Sequence, residues 1–164
     1  MLRKPAKIVS IAEFNQLKEG LGTIILTSGF FSPIHFGHQD CFLQSAKLGD
    51  TLVVLVNGDW ALTKKVGKAF QDLNTRCKIV SYCKGVDYVI PFEIENDTTV
   101  CKALEEIVPN IFTKGGDRTD ITNIPEWTIC QKYDINIVTG VGSDKTCGSS
   151  DFLKEWTNYI LNKK

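Results

Sequence analysis

Histidine is scarce in this chain. Only two occur in 164 residues, and both fall within GFFSPIHFGH (Gly29–His38). None of the six cysteines (Cys41, Cys77, Cys83, Cys101, Cys130, Cys147) forms a C-x-x-C pair, which argues against a zinc ribbon or a dithiol redox motif. Net charge is also lacking, since 19 Lys and Arg balance 19 Asp and Glu. That excludes a broad electrostatic grip on nucleic acid, yet leaves room for a locally positive phosphate site. No apolar run approaches the ~20 residues of a membrane span. The opening MLRKPAKIVS lacks the apolar core of a signal peptide. The expectation is a cytoplasmic protein, with no membrane partner and with reduced, mostly buried cysteines. No internal repeat, low-complexity tract or linker interrupts the chain. An apolar content of 43% suits one domain over residues 1–164, with residues 1–20 as a helical segment packing on its core.

What is present is an alternation of strand and helix patterns. Ser10-Ile-Ala-Glu13 reads as a capping box opening a short helix that ends near Gly20. TIILTS (Thr23–Ser28) and TLVVLV (Thr51–Val56) are β-rich runs of buried-strand character. Between them, residues 36–48 have helical spacing. Asn57 to Lys68 reads as a polar, basic stretch. A helix over 74–84 leads to the strand VDYVIPF (Val86–Phe92). A helix over 98–108 leads to a strand near 110–113, and a helix over 125–132 to the strand INIVT (Ile135–Thr139). CGSSDFLKEWTNYI (Cys147–Ile160) closes the chain as a helix with Ser149 or Ser150 at its start. This order predicts an α/β fold: a Rossmann-like three-layer sandwich around a five-stranded parallel sheet. Right-handed crossovers place the strand-to-helix loops along one edge, where such sheets bind ligands.

The histidine stretch lies in such a loop. His35 and His38, three residues apart at a helix start, face the same way. Gly37 between them carries no side chain, so another group can approach the backbone. A helix N-terminus adds free N–H groups and positive partial charge. Together they describe a phosphate pocket with two imidazoles as donors. A zinc site is less well supported, because no third histidine or neighbouring glutamate completes it.

GFFSPIHFGH resembles the G-x-F-D-x-x-H-x-G-H signature of the cytidylyltransferase-like nucleotidyltransferases of the HIGH superfamily. The resemblance runs along the chain. KIVSIAEF, HFGHQDCFLQSAKLGD, LVVLVNGD, VDYVIPF and TKGGD are similar to the branch that makes ADP-heptose from heptose 1-phosphate. KTCGSS is similar to the R-T-x-G-x-S segment of glycerol-3-phosphate cytidylyltransferase.

The resemblance implies transfer of a nucleoside monophosphate from ATP or CTP to a sugar or polyol phosphate, releasing pyrophosphate, with Mg²⁺ carried on the phosphates. It also suggests a homodimer. His35 and His38 would hold the α-phosphate, and Gly29, Phe30 and Phe31 would form the tight loop under the nucleotide. Lys64 or Lys65, with Lys65 preferred by position, matches a mobile phosphate-binding lysine, although TKKVGK on charge alone is a solvated run. Ser32, Asp59 and Arg76 fall to the substrate side. Arg76 either reaches the substrate phosphate bidentately or is an exposed helix residue. Lys114 would lie near phosphate, with Gly115 and Gly116 bending beside the base. Asp117 would contact ribose or orient the loop. Ser149 and Ser150 would bind the outer phosphates at a helix start.

The chain departs from the family pattern at Ser32, where the family has Asp, and at Asn74, where an acidic residue often precedes the arginine. It departs again at Lys145 and Cys147, which replace Arg and Glu. These changes leave open a nucleotide-binding sensor with weak turnover. The loss of the arginine at Lys145 weakens a CTP reading, and the resemblance through KIVS, KGGD and VDYVIPF sets ATP slightly ahead of CTP.

Overall fold

The computed structural model describes residues 4–116, 121–142 and 148–163. Asp117, Lys145 and Cys147 lie outside them. The sheet is built around β2 (Ile24–Gly29) and β3 (Thr51–Asn57). β3 is buried along its whole length, which is why it reads as a continuous apolar run rather than an alternating one. Successive side chains leave opposite faces. Ile24, Leu26, Val53 and Leu55 pack with Phe14, Leu104 and Phe112 on one side. Ile25, Leu52, Val54 and Val56 pack with Phe31, Phe42, Cys77 and Val80 on the other. Each fully buried side chain of this size contributes about 1.5–3 kcal/mol of transfer free energy.

The remaining strands are β1 (Lys7–Ile8), β4 (Tyr88–Phe92), β5 (Ile111–Gly115) and β6 (Asn136–Val141), in spatial order β1-β4-β3-β2-β5-β6 with every pairing parallel. The helices are α1 (Ile11–Leu17), α2 (Phe36–Ser45), α3 (Asp59–Val66), α4 (Leu73–Ser81), α5 (Cys101–Ile107), α6 (Trp127–Lys132) and α7 (Ser149–Asn162). From β2 the chain winds outward to β4, then returns to the other side of β2 as β5. The carboxyl ends of β2 and β5 therefore flank the switch point where ligands of such sheets bind.

Two readings are corrected. The described sheet has six strands, not five. β1 is two exposed residues held by backbone bonds such as Val9 N–H to Val89 O at 3.0 Å, too short to leave a pattern. The polar, basic stretch after β3, to which its composition assigns no element, is largely helical and forms α3. The Glu93 carboxylate accepts the Asp59 and Trp60 N–H groups at 2.8 and 3.2 Å, and Gly67, at φ +89°, ends the helix. The last helix starts as expected, with Ser149 its first residue and Gly148 its N-cap.

The capping box at the start of α1 is as expected: Ser10 N–H reaches Glu13 Oε2 at 2.7 Å, and Glu13 N–H reaches Ser10 Oγ at 3.2 Å. No described helix is long and apolar enough to cross a membrane. The five described cysteines are free.

Candidate active site

β2 ends in a tight turn. Phe31 takes φ +52° and folds its ring inward, leaving it 5% exposed. A Cβ on Gly29 would sit 2.8 Å from that ring, so glycine is required where the ring tucks beneath the strand end. Phe31 meets Phe42 and His38 edge-on, with centroids 5.2 and 5.0 Å apart. It supports the site from below.

His35 is the extended N-cap of α2. Its N–H reaches His38 Nδ1 at 3.3 Å, and the two imidazoles stack at 3.8 Å with planes 28° apart. A Cβ on Gly37 would approach the His35 ring to 3.1 Å, so this glycine makes room for the imidazole itself. Burial first, and the neighbouring His35 second, lower the His38 pKa to about 4. His38 is therefore neutral at pH 7. With Nδ1 accepting a hydrogen bond, its proton sits on Nε2, ready to donate. The first helical bond runs from His38 N–H to His35 O at 3.0 Å, so the N–H groups of Phe36 and Gly37 precede the ladder and form, with the imidazoles, a donor cluster for an anion.

On the β3 side, Lys65 of α3 places Nζ 5.0 Å from the centre of the Phe30 ring. Arg76 is not an exposed helix residue. It is 0% exposed and donates to Phe30 O and Asn57 O at 2.7 Å, to Gln71 O at 3.0 Å and to Asp59 Oδ1 at 2.6 Å. It ties the ends of β2 and β3 to the start of α4. Asp59 also accepts the Leu73 N–H at 3.1 Å. The Ser32 hydroxyl is buried and has no hydrogen-bond partner among the described residues. Beside this network lies a cavity of about 510 Å³ lined by Asp59, Asp72, Asn74 and Cys77 among others.

On the β5 side, Lys114 pairs with Glu126 at 3.3 Å. Gly115 packs closely on α2, where an added Cβ would lie 3.1 Å from Cys41 Sγ, and Gly116 turns at φ +82°. Ser149 donates its hydroxyl to Pro33 O at 2.7 Å, and Ser150 is exposed. Phe152, one turn on, stands 5.9 Å from His35. Hence the structure brings His35, His38, Gly29, Phe31, Gly37 and Ser149 together around one loop. Lys65 and Arg76 flank it on one side, and Gly115 and Gly116 flank it on the other.

Sequence reasoning missed Glu93, Glu126 and Phe152. Only the position of Glu126 at a helix start after Pro125 hinted at a role. No thiol among the described residues is activated: burial pushes Cys77 and Cys130 up to about 11 and raises Cys41, Cys83 and Cys101.

A parallel sheet that opens its switch point onto a helix-start donor cluster is the architecture of a nucleotidyltransferase domain. Residues 26–148 match the family model described as cytidylyltransferase-like, and the chain belongs to that family. It is 36% identical to the bifunctional protein HldE of Actinobacillus pleuropneumoniae over 104 residues, which are 62% of this chain and 21% of that protein. To HldE of Haemophilus ducreyi it is 31% identical over 137 residues, 80% of this chain and 27% of that one. The chain thus spans about a quarter or less of these relatives. Among solved structures, the lipopolysaccharide core biosynthesis protein from Thermoplasma volcanium superposes with a TM-score of 0.61 at 30% identity, covering 75% of this chain and 99% of that one. Pantoate-beta-alanine ligase from Francisella tularensis shares the fold at 13% identity, with a TM-score of 0.60 over 87% of this chain and 68% of that one.

Proposed function

We propose that this domain transfers a nucleoside monophosphate from ATP or CTP to a phosphorylated sugar or polyol, with a heptose 1-phosphate adenylyltransferase as the first candidate. The observation that carries this reading is the geometry at the start of α2, where His38 stacks on His35 and accepts its N–H at Nδ1, which leaves Nε2 as the donor of the ring. An oxygen of the acceptor phosphate attacks the α-phosphorus. The bond from that phosphorus to the bridging oxygen breaks, and pyrophosphate leaves with the electron pair. Negative charge grows on the α-phosphate oxygens, where His35, His38 and the first N–H groups of α2 are already oriented. Lys65 approaches the phosphates from α3.

Mg²⁺, when bound, neutralises the polyphosphate. No group of three or more His, Cys, Asp or Glu gathers for a metal among the described residues. The ion is assigned to phosphate oxygens and water, the ligands Mg²⁺ commonly keeps at such sites. The cavity lined by Asp59, Asp72 and Asn74 offers acceptors for hydroxyl groups and repels phosphate, which suits the polyol end of an acceptor. The description of the Thermoplasma protein, as one of lipopolysaccharide core biosynthesis, supports the sugar side of this reading. A homodimer in the cytoplasm is the setting proposed from family resemblance.

The test is pyrophosphate release with Mg²⁺, crossing ATP and CTP against heptose 1-phosphate, glycerol 3-phosphate and other sugar phosphates. Release that needs one nucleotide and one acceptor supports the reading. Dependence on CTP and glycerol 3-phosphate would move the domain to the cytidylyltransferase branch. Tight nucleotide binding with no release across the panel would favour a sensor, for which the unpartnered Ser32 hydroxyl at the family's Asp position is the specific observation.

A further inference from the structure

The Lys114–Glu126 ion pair has no part in the chemistry above. Its side chains are only 18% and 5% exposed. Lys114 lies where the pairing of β5 with β6 shifts register, between Thr113 and Gly115, and its ammonium lies 5.0 Å from the centre of the Phe112 ring. Phe112 precedes Lys114 in the strand and belongs to the core, so the lysine is folded back along β5 rather than outward from its carboxyl edge. Glu126 Oε2 is buried and has no hydrogen-bond partner among the described residues. A half-satisfied buried carboxylate costs free energy, and apolar residues of equal volume commonly replace a buried ion pair without loss. Stability alone is therefore a poor account of the pair. Its geometry gives a better one. Lys114 is in the last turnings of β5 and Glu126 immediately precedes α6, so the bond joins the two ends of the connection that carries Gly115 and Gly116. Gly115 is pressed against Cys41 of α2, the helix that His35 and His38 open.

We propose that Glu126 is a positioning residue acting through Lys114. The pair latches the start of α6 to the end of β5 and so sets the Gly115–Gly116 turn against α2. The ammonium serves the latch and not a phosphate. What the turn touches rests on the nucleotide-transfer reading; the latch itself does not.

Wild type, Lys114→Met, Glu126→Leu and the double variant separate these possibilities. Calorimetric binding of ATP and CTP with Mg²⁺ is measured alongside amide hydrogen exchange at Gly115 and Gly116. Each single variant strands a buried charge. It should weaken nucleotide binding about 10-fold and speed exchange at both glycines, whereas the double variant should return to within about 3-fold of wild type. A double variant as weak as Lys114→Met would place the ammonium on the nucleotide and overturn the latch. Single variants with lowered melting temperature but unchanged binding and exchange would also overturn it, leaving the pair merely structural. Wild type that binds neither nucleotide would sink the transfer reading alone. The exchange pattern would then still support or overturn the latch.

Discussion

His38 accepts the backbone N–H of His35 at Nδ1 while its ring lies stacked on the His35 ring, 3.8 Å away. One side chain thus closes the start of its own helix and settles its own tautomer. His38→Ala removes the proposed Nε2–H donor and the stack. The expected result is a fall of about 10²- to 10³-fold in kcat, the size associated with losing one oriented donor to developing charge. The far-ultraviolet circular dichroism should not change. Steady-state pyrophosphate release checks it, and a near-normal rate would remove His38 from the mechanism.

The same residue sets a pH dependence. Its folded-state pKa, about 4, lies below the usual 6.5 because burial and His35 disfavour the charge. The unfolded chain therefore takes up a proton first as pH falls. Stability is complete above about pH 6.5 and declines through the window down to about pH 4, by at most about 3 kcal/mol from this group. Urea midpoints for wild type and His38→Gln at pH 7.5, 5.5 and 4.5 should converge as pH falls. Equal slopes for the two proteins would contradict the assignment.

Arg76→Met should be among the most damaging substitutions outside the apolar core. It leaves Phe30 O and Asn57 O without their donor and Asp59 without its partner. A loss of about 3 kcal/mol is expected, since removing one member of a buried pair typically costs about 3–5 kcal/mol and Asp59 is partly solvated, at 39% exposure. Arg76→Lys should rescue little, because one ammonium cannot span four acceptors. Chemical denaturation measures both.

Phe152→Ala tests the contact of α7 with His35. No residue of α7 is buried, so the melting temperature should move by less than about 2 °C, as for a surface change. Turnover should nevertheless drop several-fold as the His35 ring loses its neighbour at 5.9 Å. Unchanged kcat would confine Phe152 to the surface.

Gly37→Ala places a methyl 3.1 Å from the His35 ring. The backbone there is ordinary helix, so alanine brings no strain of its own and raises helix propensity. The expected pattern is equal or higher stability with slower turnover. A parallel fall in both would point to a folding defect instead.

Several elements were legible because their signals are local. The apolar runs of β2 and β3 announce buried strands, Ser10 and Glu13 announce a helix start, and the spacing of His35, Gly37 and His38 sets both imidazoles on one helical turn. α3 was hidden because its first N–H groups are capped by Glu93, 34 residues away from Asp59. β1 was hidden because two residues carry no periodicity, and only the edge of β4 makes them a strand. Arg76 read equally well as a ligand-binding or an exposed side chain, since nothing adjacent to it names its partners.

The amino-acid order by itself thus determined the strand–helix alternation, the parallel α/β class and the chemical character of the loop after β2, because hydrophobic period, capping and motif spacing act over a few residues. The tertiary structure alone decided which groups meet. It buried Arg76 among three carbonyls and a carboxylate, folded Lys114 back onto Glu126, set Phe152 beside His35 and lowered the His38 pKa. Each of these depends on desolvation and on contacts between segments far apart in the chain, and neither is written in any single stretch of sequence.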